Sequence, residues 1–240
     1  MRFVLRLGAA LAALTVVGAC GSGDGSGGDG ESPLEQALRR MVLQPDDLPS
    51  GLVLGDATFT TNESLAAASA SPEARGAELE GWGRILGYEI TYQPGGEVPA
   101  ELPVQGINVS ASLYTTEEGA STSFADSVKV AEETDWAANY AGLREFQQET
   151  INISGLADEL VWLQLSGYQP ATEGPDALVT DDLIFFRVAG ERGFLRVLAR
   201  STRTGDRQHY QSTVEGWLRS LIQNVTDALA KGGFEMEEGE

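Results

Sequence analysis

Cysteine, lysine and histidine are nearly missing from this chain of 240 residues. It contains one cysteine, Cys20, and one histidine, His209, and its only lysines are Lys129 and Lys231. A single cysteine cannot form a disulfide within the chain, even in an oxidising compartment. The stability of the fold must therefore come from its hydrophobic core.

Positive charge is scarce relative to negative charge. Lysine and arginine together number 16, against 36 aspartate and glutamate residues, which gives a formal net charge of −20. Binding to nucleic acid depends on neutralising phosphates with lysine and arginine, so this balance argues against a nucleic-acid partner. The excess of acid keeps the protein soluble and away from acidic surfaces.

Long apolar runs are also scarce, and the only one lies near the start of the chain. Residues 7–17 carry no charge, follow Arg2 and Arg6, and precede the small residues Gly18 and Ala19. This order is typical of a secretory signal peptide. A transmembrane helix would need about 20 apolar residues, and this run is shorter. We therefore predict that residues 1–19 are a signal peptide, whose removal takes away two arginines and no acid and moves the charge to −22.

The signal ends in Val17-Gly18-Ala19-Cys20, which resembles the lipobox of bacterial lipoproteins. The commonest form of that motif has leucine where this chain has Val17. The resemblance implies that Cys20 carries a diacylglyceryl group and usually an additional acyl chain. Two or more acyl chains hold a protein firmly on a membrane. We therefore expect a lipid anchor on the extracytoplasmic face of the cell membrane, with secretion without lipid as the alternative.

Three further segments follow Cys20. Residues 20–32 are rich in glycine, serine and aspartate and have nothing apolar to bury after Cys20, so we predict a disordered tether. A glycine-rich coil of about 12 residues has a root-mean-square span of roughly 17–21 Å. Residues 33–233 are long enough for a single domain, and residues 234–240 form an acidic tail.

Hydrophobic periodicity predicts both strands and helices in the domain. Pro33–Val42 suits a short helix capped by Ser32, and a polar connection covers residues 61–79. A second helix begins at Thr115, which forms a capping box with Glu118, and a third spans about residues 206–229. Strands are predicted at 53–60, 86–92, 107–113, 146–153, 158–165, 183–188 and 194–200.

These elements predict an α+β fold. We expect one antiparallel sheet packed on one face by two main amphipathic helices, an arrangement compatible with a duplicated strand-strand-helix unit. The outline is similar to the PsbP/Mog1-like fold of some actinobacterial lipoproteins.

We predict no catalytic residue, metal site or cofactor from the sequence. His209 has no Gly-x-Ser-x-Gly motif to accompany it. Once Cys20 is acylated, its sulfur is not available as a ligand, so a His/Cys metal site is excluded. The acid pair Asp46-Asp47 suits a turn, and Glu117-Glu118 suits a helix N-terminus. Asp181-Asp182 could lie at the mouth of a hairpin, but no calcium-loop motif is present.

Arginines are concentrated towards the end of the domain, in one stretch of about twenty residues. The stretch holds Arg187, Arg192, Arg196, Arg200, Arg203 and Arg207. One interpretation is a small anion or carboxylate site formed by Arg187, Arg196 and Arg200, because guanidinium binds oxyanions in a bidentate manner. The other is cross-strand pairing with acidic residues of the neighbouring strand.

Together these features predict a membrane-anchored, monomeric, non-enzymatic binding domain. Its partner would be an envelope protein or a small ligand. The alternative is a carrier of lipid or another apolar molecule, which requires a cavity of several hundred Å³ between sheet and helices. That alternative rests on aromatic residues of the strands and helices, which suit a plain core equally well. A hydrolase is the third candidate, and it would need a cleft that unites His209 with a serine and a carboxylate.

Overall fold

The computed structural model describes residues 31–96, 104–201 and 207–231. The predicted signal peptide, Cys20, nearly all of the tether and the acidic tail lie outside the described residues. Among the described helices, none combines the length and the apolar composition needed to cross a membrane. The helices are α1 (Pro33–Met41), α2 (Asn62–Ala67), α3 (Pro72–Gly81), α4 (Glu117–Glu133), α5 (Trp136–Asn139) and α6 (Arg207–Lys231), with a short 3₁₀ helix at Pro45–Asp47.

Seven antiparallel strands form one sheet. They are β1 (Leu52–Thr60), β2 (Arg84–Pro94), β3 (Val104–Tyr114), β4 (Arg144–Ile151), β5 (Glu159–Gln169), β6 (Ala177–Val188) and β7 (Glu191–Ser201). Their spatial order is β1-β2-β3-β7-β6-β5-β4. Each half of the chain is thus a meander of neighbouring strands, and the β3–β7 pair joins the halves. The predicted α+β class with an antiparallel sheet is confirmed.

The helices cover both faces of the sheet. Along β6, Ile184 and Phe186 pack in a cluster with residues of α1 and α6, whereas Leu183 and Phe185 pack in a second cluster with residues of α4 and α5. Successive side chains of a strand point to opposite faces, so these clusters lie on opposite sides of the sheet. We refer to them as the α6 face and the α4 face.

The prediction that both main helices pack on one face is therefore wrong. The physical reason lies in β6, where the consecutive residues Leu183–Phe186 are all apolar. Such a run is typical of a strand that is buried on both faces, so helices are needed on both sides of the sheet. The duplicated unit is not found either. A two-fold axis between the antiparallel strands β3 and β7 would place α4 and α6 on the same face.

Helix starts follow local capping chemistry. Ser32 caps α1 in a capping box with Glu35, as predicted for Ser32. The cap of α4 is Thr116, whose side chain accepts from Gly119 N, and not the predicted Thr115. The stretch predicted as a polar connection contains α2 and α3, which begin after Thr61 and Ser71. Few apolar side chains of this stretch are buried, so its helical periodicity is weak.

Candidate functional site

Two of the predicted anion-site arginines have carboxylate partners in their own chain. Arg187 Nε donates to Glu159, and its Nη1 lies 3.5 Å from Asp158 Oδ2. Arg196 pairs with Asp181. Arg200 is exposed. Arg187 and Arg196 therefore form ion pairs with acidic residues of the neighbouring strand or of the loop next to it.

The Arg196–Asp181 pair lies on the α4 face. Arg196 Nε is 3.0 Å from Oδ1 of Asp181 and its Nη2 is 2.6 Å from Oδ2, while the Tyr140 hydroxyl donates to Oδ2 as well. Asp181 is completely buried. Burial alone would lower the pKa of Arg196, but the hydrogen bonds and charge of Asp181 raise it overall. Burial, followed by the charge of Asp181, raises the pKa of Tyr140.

Asp182, the next residue, lies on the α6 face and is also fully buried. Trp162 Nε1 and Gln164 Nε2 donate to its Oδ1 at 2.7 Å and 2.9 Å, and the Tyr210 hydroxyl donates to Oδ2 at 2.6 Å. Burial raises the pKa of Asp182, and these three hydrogen bonds oppose the rise. The two carboxylates lie in mid-strand rather than at the mouth of a hairpin. They face opposite sides of the sheet, so they cannot act together on one substrate.

The other residues considered for chemistry have local roles. Asp47 accepts from the backbone N–H of Gln44 at 2.8 Å within the 3₁₀ turn, and Glu117 and Glu118 lie in the first turn of α4. His209 is exposed in the first turn of α6. Within the described ranges, no group of three or more histidine, cysteine, aspartate or glutamate residues is arranged to hold a metal ion.

A different pair of arginines forms the most unusual polar cluster of the described residues. Arg84 donates to Thr60 O at 2.9 Å, to Thr60 Oγ1 at 2.7 Å, and to Ser112 Oγ at 3.3 Å. Arg192 is directly opposite Ser112 in the β3–β7 ladder. Its Nη1 contacts Ser123 O at 3.4 Å and the hydroxyl of Ser127.

Tyr114 of β3 lies beside these residues and links Arg84 to α4. It is opposite Arg84 in the β2–β3 ladder, and its hydroxyl lies 2.7 Å from Ser123 Oγ. We call the six residues that β2, β3, β7 and α4 bring together here the arginine cluster: Arg84, Ser112, Tyr114, Ser123, Ser127 and Arg192. Arg84 could not be recognised from the sequence, because nothing in β2 by itself indicates a partner on a strand that follows about a hundred residues later.

The electrostatics of the arginine cluster are those of unneutralised positive charge. Arg84 is only 5% exposed. The pKa of Arg84 is lowered to about 10, chiefly by burial. Tyr114 opposes this change, and the neighbouring charges of Arg192 and Arg75 add to it in smaller measure. The Nε atoms of Arg84 and Arg192 are both buried without a hydrogen-bond partner. The ion pairs among the described residues include no carboxylate for either arginine.

Two glycines make room for this arrangement. A Cβ atom on Gly87 would lie 2.2 Å from Arg84 Nη2, so the guanidinium occupies the space that a side chain at this position would need. A Cβ atom on Gly119 would lie 1.9 Å from Trp82 O, so the first turn of α4 packs directly against the backbone before β2. The close approach at Gly119 holds the first turn of α4 against the start of β2, and the open position at Gly87 leaves room for the Arg84 guanidinium.

A groove of about 180 Å³ lies on the α6 face, at the β1 edge of the sheet. It is bordered by β1, β2 and the end of α1. Its lining combines apolar, aromatic and amide side chains with one cation: Arg39, Val42, Gln44, Pro45, Leu54, Tyr88, Ile90 and Tyr92. The Arg39 guanidinium lies 5.0 Å from the ring centroids of both Phe59 and Tyr88. Arg39 also pairs with Glu31, the first described residue of the tether.

Comparison with known proteins gives only a weak structural likeness. No family model matches the chain, and no curated protein matches it. The chain is similar to a solved structure of the extracellular domain of PknH from Mycobacterium tuberculosis. The two share 10% sequence identity with a TM-score of 0.49, and the match covers 80% of this chain and 96% of that one. A likeness at this level carries no argument about function.

Proposed function

We propose that this protein is a lipid-anchored extracytoplasmic domain that binds a partner protein and is not an enzyme. The anchor follows from the resemblance of the leader to a lipobox ending at Cys20. The observation that carries the binding role is the groove beside β1. Arg39 lines this groove and also pairs with Glu31, so the groove lies at the end of the domain where the tether joins it.

The chemistry of the groove indicates an extended segment of a partner protein. β1 is an edge strand of the sheet, and its side chains Val53 and Leu54 are 46% and 54% exposed. Edge strands accept an extended peptide through main-chain hydrogen bonds, and pockets beside the strand then select side chains. Leu54, Pro45 and Ile90 offer apolar surface, and Arg39 offers a positive charge. A segment with an apolar residue beside a carboxylate fits this lining.

The size of the groove favours a partner protein over an apolar carrier. Sites that enclose a drug-sized molecule have volumes of roughly 300–1,000 Å³. The groove has about 180 Å³ and opens beside an exposed edge strand. It therefore suits one or two side chains of a bound segment better than a lipid.

The anchor is tested by changing Cys20→Ser. Because the acyl chains would be attached to this cysteine alone, we expect the variant to leave the membrane fraction and be recovered in soluble form. Cell fractionation followed by immunoblotting measures this. A Ser22→Ala variant, which changes the tether and keeps Cys20, is the control and should stay with the membrane. Continued membrane association of the Cys20→Ser protein would contradict the anchor.

The binding role is tested by placing a photo-crosslinking amino acid at Leu54 in the full-length protein, in cells that normally make it. We expect a discrete crosslinked product, because Leu54 lies where the groove meets the edge strand. The matched control is the same amino acid at Val130, which is 40% exposed on α4 and lies away from the groove. Equal crosslinking at both positions, or none at Leu54, would refute the groove as a partner site.

A further inference from the structure

We propose that Arg84 and Arg192 form a binding site for a small oxyanion of the phosphate or sulfate class, beneath helix α4. This site is separate from the groove at β1 and does not depend on the proposed partner. It also differs from the anion site that the sequence predicts at Arg187, Arg196 and Arg200.

Arg84 and Arg192 differ from most of the other described arginines in their ion pairing. Most of the described arginines with a recorded contact have a carboxylate within 4.0 Å: Arg39, Arg75, Arg144, Arg187, Arg196 and Arg219. Arg84 and Arg192 instead donate to hydroxyl, amide and backbone oxygens, which are neutral. Although the chain has a net charge of −20, these two neighbouring guanidinium groups lack a carboxylate partner among the described residues and are buried or partly buried. A buried charge needs a counter-charge, and a bound anion would supply it.

Both arginines also have hydrogen-bond donors that are not used. The Nε–H groups of Arg84 and Arg192 are both buried and have no acceptor. A buried donor without an acceptor is costly, so each such group in a native structure calls for an explanation such as an ion. An oxyanion placed between the two arginines would accept from these donors.

Hydroxyl groups surround the two arginines. Ser112, Ser123 and Tyr114 are each at most 5% exposed, and Ser127 lies one turn along α4 from Ser123. A hydroxyl can rotate to accept from arginine or to donate to an anion. The hydroxyl groups of the cluster can therefore accept hydrogen bonds from arginine when no anion is bound and donate hydrogen bonds to an oxyanion when one is bound.

The geometry of the donors selects the class of anion. Each arginine presents a planar fork suited to two oxygens of one group. Arg84 comes from β2 and Arg192 from β7, with β3 between them, so the donors approach from two sides. An anion with three or four oxygens can satisfy both forks, whereas a halide can satisfy neither. Arg192 and Ser127 are only partly buried, whereas the other four residues of the cluster are buried, so these two side chains form its solvent-facing side.

The experiment uses the full-length chain in mild detergent and inorganic phosphate and sulfate as probes. Sodium chloride at the same ionic strength controls for general screening of the acidic surface. We expect phosphate or sulfate to raise the melting temperature in a saturable manner beyond the effect of chloride. Isothermal titration calorimetry should show affinity for the same anion at least tenfold weaker in Arg192→Gln. A matched control, Arg200→Gln, removes an exposed arginine from the same strand and should leave the affinity unchanged.

Arg84→Lys provides a second variant that keeps the charge and most of the side-chain stem. It should also weaken anion binding at least tenfold, because a lysine lacks the two-pronged donor of arginine. Circular dichroism of both variants shows whether they remain folded, and affinities are compared for folded protein only. The proposal is overturned if chloride stabilises the protein as much as phosphate and sulfate do. It is equally overturned if Arg192→Gln or Arg84→Lys binds the anion as the unchanged protein does.

Discussion

The Arg196→Met variant should lose about 3–5 kcal/mol of its free energy of unfolding, the range expected when one member of a buried ion pair is removed. Asp181 is fully buried and takes two hydrogen bonds from Arg196 Nε, at 3.0 Å and 3.1 Å, and one from Nη2 at 2.6 Å. Without Arg196 its carboxylate would remain buried with the Tyr140 hydroxyl as its remaining side-chain donor. Methionine keeps much of the length of the side chain, so the loss measures the charge rather than a cavity.

Urea denaturation followed by tryptophan fluorescence measures this loss. Arg187→Met is the matched control, because Arg187 also pairs with acids across the β5–β6 ladder. Its partners Asp158 and Glu159 are 53% and 33% exposed, however, so water can solvate them when the arginine is gone. We expect about 1 kcal/mol for this variant, as for ion pairs near the surface. Equal losses in the two variants would show that burial of Asp181 does not set the cost.

A double variant separates the charge of Asp181 from its shape. Asp181→Asn together with Arg196→Met removes both charges and keeps an oxygen that accepts from Tyr140. We expect it to recover at least half of the loss, because no unpaired buried charge remains. If it is as unstable as Arg196→Met alone, the contribution of Arg196 comes from packing and not from neutralising Asp181.

The local features of this fold could be predicted from the sequence because they depend on neighbouring residues. The Ser32 cap and Pro33 define the start of α1, and alternation identifies β2 around Leu86–Tyr92 and β3 around Ile107–Leu113. The two-faced burial of β6 was also present in the run Leu183-Ile184-Phe185-Phe186. Alternation in β2 and β3 predicts one solvent-exposed face and therefore helices on the other face, yet that alternation does not describe the strands at the centre of the sheet.

The candidate site could not be predicted in the same way, because it depends on strand order. Strand parity places Arg192 and Arg196 on one face, but it cannot say which side chains of β3 and α4 cover them. That requires the β3–β7 pair, which joins residues about 80 positions apart. Arg196 then meets the buried Asp181 of β6, while Arg192 meets the serines of α4. The same argument separates Asp181 from Asp182, which are neighbours in sequence and lie on opposite faces.

Glu191 is the buried acid for which we expect substitution to stabilise the protein. Its side chain is 1% exposed, and neither carboxylate oxygen has a hydrogen-bond partner among the described residues. It stands opposite Leu113 of β3 and Val188 of β6, so its neighbours across both ladders are apolar. Burial raises its pKa from 4.5 to about 9. We expect Glu191→Met, which fills a similar volume without a polar group, to raise the free energy of unfolding by about 2–4 kcal/mol at pH 7.5.

The dependence of this gain on pH is the decisive measurement. The folded protein keeps a proton on Glu191 up to about pH 9, whereas the unfolded chain releases it near pH 4.5. Unfolding between these pH values therefore releases a proton, and the contribution of Glu191 to stability falls by about 1.4 kcal/mol per pH unit as the pH rises. Urea denaturation of the unchanged protein and of Glu191→Met should give nearly equal stabilities at pH 4.5, with a gap that widens towards pH 8. The exposed Glu173→Met should show no such widening. A gap for Glu191→Met that stays constant with pH would show that the carboxyl group titrates normally in the folded protein and that its burial carries no electrostatic cost.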